Sequence, residues 1–211
     1  MKNILLLLMI LTSGAAFSQD TAYFSVAILK EQAIDSAQEY MSRFFSENDF
    51  THHVKLQKQK TQLFLLPEYK KRKLDSVPMH WVEGYHVTYA FETAFYSTTL
   101  TIVIRGNFKV YEHIDYIEKV NLQALFYQAH SDYLKRIQEG KLIHADSVYQ
   151  FVKQQNPDKE WGKAEISRTS FPPYRFYYRV FESNCNPCEE ILIELDELKE
   201  IERNSHTMIS D

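Results

Sequence analysis

Cationic excess, cysteine, glycine and long apolar runs are all in short supply in this chain, and each shortage narrows its function. There are 24 Lys and Arg residues against 28 Asp and Glu, a formal net charge of −4, so no basic surplus exists to attract a nucleic-acid backbone. A bilayer crossing needs about 20 apolar residues, and the N-terminal run at residues 4–11 is far shorter. The chain holds two cysteines, Cys185 and Cys188, with no histidine close to them in sequence, which is short of the donor set of a structural zinc site. Five glycines and no low-complexity tract describe an ordinary folded chain. No nucleophile elbow, paired-carboxylate signature or HExxH helix occurs, so a hydrolase is disfavoured, although a site assembled from distant residues stays open.

The first residues, MKNILLLLMILTSGAAFSQD, carry one cation at Lys2, an apolar stretch, and small residues up to Ala16, Phe17 and Ser18. That is the layout of a secretory signal peptide, expected over residues 1–19. Its removal leaves a protein exported to a periplasm or beyond, expected to be soluble and without a transmembrane anchor. No cysteine near the cleavage region offers itself for lipidation. Removing the first eighteen residues deletes Lys2 alone, leaving 23 basic against 28 acidic residues and a net charge of −5.

Helical periodicity occurs three times. Leu29, Ala33, Ile34, Ala37, Tyr40, Met41, Phe44 and Phe45 share one helical face over residues 28–47, with Asn48 as a stop. Leu122, Leu125, Phe126, Ala129, Tyr133, Leu134 and Ile137 define a second helix ended by Gly140. Val148, Phe151 and Val152 define a third over residues 145–154. Strands are expected as a long arm in VKLQKQKTQLFLLP, as alternating Tyr85, Val87, Tyr89 and Phe91, at residues 100–104 and, after an Arg105-Gly106-Asn107 turn, at 108–111. Further strands are expected at residues 162–168, 174–182, 191–195 and 199–202.

The two strand-rich parts superpose in pattern at a constant offset of 91 residues: Tyr85, Val87 and Tyr89 fall on Phe176, Tyr178 and Val180, and Leu100, Ile102 and Ile104 fall on Ile191, Ile193 and Leu195. A one-residue slip would turn a strand inside out, so shared parity is strong evidence of shared architecture. The fold class that follows is α+β, with two helix-on-antiparallel-sheet units at residues 20–115 and 143–211 joined by a connecting helix within 116–142. One helix on an antiparallel sheet leaves the opposite face open. Arg175, Tyr177 and Arg179 are expected outward in the second unit, and His86 and Thr88 in the first.

The stretches IHADSVYQFVKQQ, YRFYYRVFE and ILIELDELKEIER, with Asp196 at the position of a turn aspartate, resemble the PepSY family and, more loosely, the cystatin-like helix-on-sheet arrangement. Glu197, Leu198 and Lys199 stand where that family usually carries Thr-Gly. The resemblance implies a secreted domain that inhibits peptidases or binds peptides, with no catalytic residue to carry over.

SNCNPCEE, the segment holding both cysteines, leads into EILIEL, which alternates as a strand. Without a helix N-terminus to stabilise a thiolate, and with Glu189 and Glu190 opposing one, a hairpin disulfide stands ahead of a redox pair and of a metal site. His52, His53, His80 and His86 are spaced without a ligand pattern. The basic run Lys70, Lys71, Arg72 and Lys73 suits an anionic surface or partner, or simply a solvated loop. The expectation is a non-catalytic exported module binding a peptide or envelope protein through an open sheet face or edge, with the Arg175, Tyr177 and Arg179 row, His86 and Thr88, or the basic run as candidate binding residues, and with no cofactor and no metal. A peptidase inhibitor and a thiol redox protein using Cys185 and Cys188 are the alternatives.

Overall fold

A computed structural model describes residues 22–70, 74–112, 114–115, 120–185 and 187–206. The expected signal peptide and Lys71, Arg72 and Lys73 lie outside the described residues. Among those described, no helix is long and apolar enough to cross a membrane.

Tyr23–Ser25 (β1) leads directly into Val26–Met41 (α1), whose buried stripe is Leu29, Ala33, Ile34, Ala37, Tyr40 and Met41, the predicted apolar face. The helix stops earlier than its periodicity suggests, because the next segment starts a helix of its own. Ser46 Oγ accepts the Asp49 N–H at 3.2 Å and Asp49 Oδ2 accepts the Ser46 N–H at 2.9 Å. This reciprocal capping box opens Glu47–His52 (α2), so Asn48 lies inside a helix instead of ending one.

The predicted long arm divides into Val54–Leu56 (β2) and Gln62–Leu65 (β3), separated by a 3-10 turn at Lys58–Lys60. Ser76–Pro78 (β4) pairs with β1 at the periphery. Val82–Glu92 (β5) is the central strand: β2 and β3 pair with successive parts of one edge, and Ser97–Arg105 (β6) pairs with the other. At Gly84 the two backbones approach so closely that a Cβ would stand 2.5 Å from the Ile104 carbonyl oxygen. The strand expected at residues 108–111 shrinks to a single bridge between Ile104 and Val110. A two-residue ribbon, Ile114–Asp115 (β7) with Val120–Asn121 (β8), precedes Leu122–Gln138 (α3), and Ala145–Gln155 (α4) follows.

The second sheet is antiparallel throughout, in the order Glu200–His206 (β12), Cys188–Ile193 (β11), Phe176–Phe181 (β10), Glu165–Arg168 (β9). Its central hairpin repeats the first in register as well as in pattern. Val87 pairs with Ile102 and Tyr89 with Leu100; the residues 91 positions later, Tyr178 with Ile193 and Val180 with Ile191, are paired too. All eight are buried. Parity therefore selected the core face correctly in both sheets, and the α+β class of helices on antiparallel sheets holds.

α3 does more than connect. Its Asn121 cap accepts the Ala124 N–H at 3.0 Å, and Gly140, at φ 65°, closes its far end. Toward the first unit, Tyr127 donates to Thr101 O at 2.9 Å, Ser131 to Phe44 O at 2.6 Å, and Gln138 to Asp49 Oδ1 at 2.8 Å. Toward the second, the Tyr133 ring stacks on Phe176 with centroids 4.4 Å apart, and Arg136 Nη1 meets Asp196 Oδ2 at 2.7 Å. One continuous buried cluster results.

Candidate functional site

The two cysteines form a disulfide with Cα atoms 4.9 Å apart. It closes the connection between β10 and β11, and Cys188 opens a strand instead of a helix. The acidic residues beside it are already committed to cations: Lys159 reaches Glu189 at 2.8 Å and Glu182 at 3.1 Å, and Arg203 reaches Glu189 at 3.0 Å. The hydrogen bond from Lys159 is the main reason the Glu189 carboxyl is held below the usual carboxylate range.

The predicted outward row does not form one surface. Thr88 is 7 % exposed and Tyr177 is 9 % exposed, so neither presents its side chain to a partner. Both lie on central strands, shadowed by a neighbour on each side. His86 is half-buried with its ring 4.3 Å from that of Phe64. Arg179 turns back onto its own sheet, with Nε 3.6 Å from Glu190 and the guanidinium 4.7 Å over the Phe181 ring. Arg175 alone stays exposed, at a cavity of about 270 Å³ shared with Asp132, Arg136 and Glu194. Lys70 is exposed beside a different cleft, of about 620 Å³, together with Lys30 and Leu74. The structure thus scatters the predicted binding residues over separate surfaces. Among the described residues no cluster of three or more His, Cys, Asp or Glu side chains could share a metal ion.

Sequence reading allowed an open sheet face or edge but did not single out which edge. β9 is an outermost strand, and among the described residues no backbone hydrogen bond leaves its outer side. Beside it runs a groove of two adjoining cavities that share Ala145 and Ala164. One, about 530 Å³, is walled by Tyr149 and Trp161 over Gly162. The other, about 380 Å³, lies between Phe95 and Tyr96 at the tip of the β5–β6 hairpin and Ile166 and Tyr178 of the second unit. Small residues keep its floor low and aromatic rings form its walls.

No family model, curated protein or solved structure matches this chain.

The groove is framed by elements whose placement follows from local causes. Tyr178 donates its hydroxyl to Ile143 O, which seats the first turn of α4 beside β9. Gly162 N–H donates to Phe181 O at 2.8 Å, and Trp161 bridges Glu182, so the chain upstream of β9 is held along β10. The only sequence signals pointing here were small residues, Gly162 and Ala164, within a segment read as a strand.

A second feature that sequence reading missed is His130, on α3 where the two units meet. Its ring is wholly buried, within 5.1 Å of Phe91, Phe126 and Phe176. Nδ1 lies 2.7 Å from Phe126 O, which assigns the proton to Nδ1, while Nε2 has no hydrogen-bond partner among the described residues. Burial pushes its pKa down to about 4, the Phe126 carbonyl opposes this, and the positive charge of Arg168 adds to it.

Proposed function

We propose that this chain is an exported, non-catalytic binding module that takes up an extended peptide, or a segment of an envelope protein, as an added strand on β9. The observation that carries this reading is the open outer edge of β9 beside the aromatic-walled groove. Main-chain donors and acceptors at a sheet edge supply affinity for any extended chain, and adjacent pockets for alternate side chains supply selectivity. The PepSY-like and cystatin-like resemblance points the same way, toward peptide binding.

The reading is tested with an array of immobilised decapeptides and by hydrogen exchange. The expected result is peptide binding that slows exchange of the β9 amides and is lost in Ala164→Arg, a half-buried position shared by both cavities. Failure of every peptide to bind, or protection located elsewhere, refutes it.

Phe171 favours a second reading. Its ring is 81 % exposed in the β9–β10 connection, an apolar projection suited to entering a peptidase cleft. Residual peptidase activity of an envelope fraction at saturating protein tests that reading, and unchanged activity removes it.

A further inference from the structure

We infer that the strand received by β9 is charge-coded: apolar residues face Ala164 and Ile166, and on the opposite side a cation sits against Glu165, followed two positions later by an anion against Lys163. This inference rests on the strand addition proposed above. The start of β9 and the two residues leading into it alternate in exposure. Lys163 and Glu165 are exposed, whereas Ala164 and Ile166 are half-buried against the core. An incoming strand with the same period of two must match that alternation or bury charge on the groove side.

The charged side is unsatisfied. Among the described residues neither Lys163 nor Glu165 takes part in an ion pair. Glu165 is the Cα partner of Arg179 on β10, but that guanidinium is turned to Glu190 and the Phe181 ring, so among the described residues the Glu165 carboxylate has no ion-pair partner on its inner side either. Its outer side is where the next strand would lie, and opposite charges directly across from each other stabilise a sheet while like charges destabilise it. Every pairing in this sheet is antiparallel, so an added strand continuing that pattern runs opposite to β9 and meets Glu165 before Lys163. Read from its N-terminus, the ligand is apolar, basic, apolar, acidic, apolar. The cavities on either side of Ala164 take its bulky apolar side chains, by the Trp161 wall and by the Tyr96 wall.

The experiment uses the full mature chain and two fluorescein-labelled peptides with Gly-Ser flanks. One has the core Val-Lys-Leu-Glu-Val and the other the reversed core Val-Glu-Leu-Lys-Val. Fluorescence anisotropy at low salt is expected to show about fivefold tighter binding of the first, because two attractive pairs replace two repulsive ones. The double variant Lys163→Glu, Glu165→Lys, altered only at exposed positions, is expected to reverse the preference, and 0.5 M salt to shrink it in both proteins. Equal affinities, a wild-type preference for the reversed core, or a preference that the double variant retains overturns the charge code but leaves strand addition standing. Failure of both cores, together with failure of the peptide array, overturns strand addition as well.

Discussion

Acid should loosen this protein through His130. In the folded chain the neutral ring fits: Nδ1–H donates to Phe126 O, and Nε2 points among aromatic rings with no partner among the described residues. A proton on Nε2 would place a charge there with no acceptor and with Arg168 nearby, while the surrounding Tyr96, Phe91, Phe126 and Phe176 offer only ring faces and edges. The pKa is about 4 when folded, against 6.5 for an unburied histidine. The unfolded chain therefore binds this proton first. The stabilising contribution is complete above pH 6.5 and falls away as the pH drops toward 4. At about 1.4 kcal/mol per pH unit, the loss over that interval is about 3 kcal/mol. The assay is urea unfolding at pH 7.5, 6, 5 and 4 for the wild type and His130→Leu, a swap of similar volume. Carboxylates titrate in both proteins and cancel in the difference. The variant is expected to gain on the wild type by about 3 kcal/mol between pH 7.5 and 4. Parallel loss of stability in the two proteins would refute a buried, neutral His130.

Three further outcomes follow from local geometry. Gly84→Ala puts a Cβ 2.5 Å from the Ile104 carbonyl oxygen, a backbone clash that cannot be relieved by rotating a side chain; thermal and urea unfolding should show a loss of about 1–3 kcal/mol. Ser46→Ala removes one half of the capping box of α2 and should cost about 1 kcal/mol, read in the same unfolding assay, with the far-ultraviolet spectrum otherwise unchanged. Replacing both Cys185 and Cys188 by serine opens a loop of four residues, for which chain entropy gives about 2 kcal/mol. Reductant should lower wild-type stability by a comparable amount and leave the variant untouched, and a reductant effect on the variant would show that the disulfide is not its cause.

The hairpins were the most legible part of the fold. Alternation at Tyr85, Val87 and Tyr89, and again at Phe176, Tyr178 and Val180, identified the buried face because a pleated strand has no other way to place its side chains. The break between α1 and α2 was legible in principle, since Ser46 and Asp49 stand at capping-box spacing, but the continuing apolar period through Phe44 and Phe45 masked it. The outward row was misread for a different reason. Period two tells which side of a sheet a residue leaves, and says nothing of how deeply its neighbours shadow it, so Tyr177 and Thr88 point away from the helices and are still buried.

By itself, then, the chain determined its local geometry: three amphipathic helices, two hairpins of common register and a disulfide within one turn, along with a net acidic charge. These follow from interactions over a few residues, or from a repeat that can be read along the chain. Tertiary structure alone decided that α3 packs against both units, that His130 is sealed between them, and that β9 is left as an open edge facing Phe95 and Tyr96 from the other hairpin. Those facts depend on contacts between segments dozens of residues apart, such as Tyr133 with Phe176 and Tyr96 with Phe176, whose pairing no local period encodes.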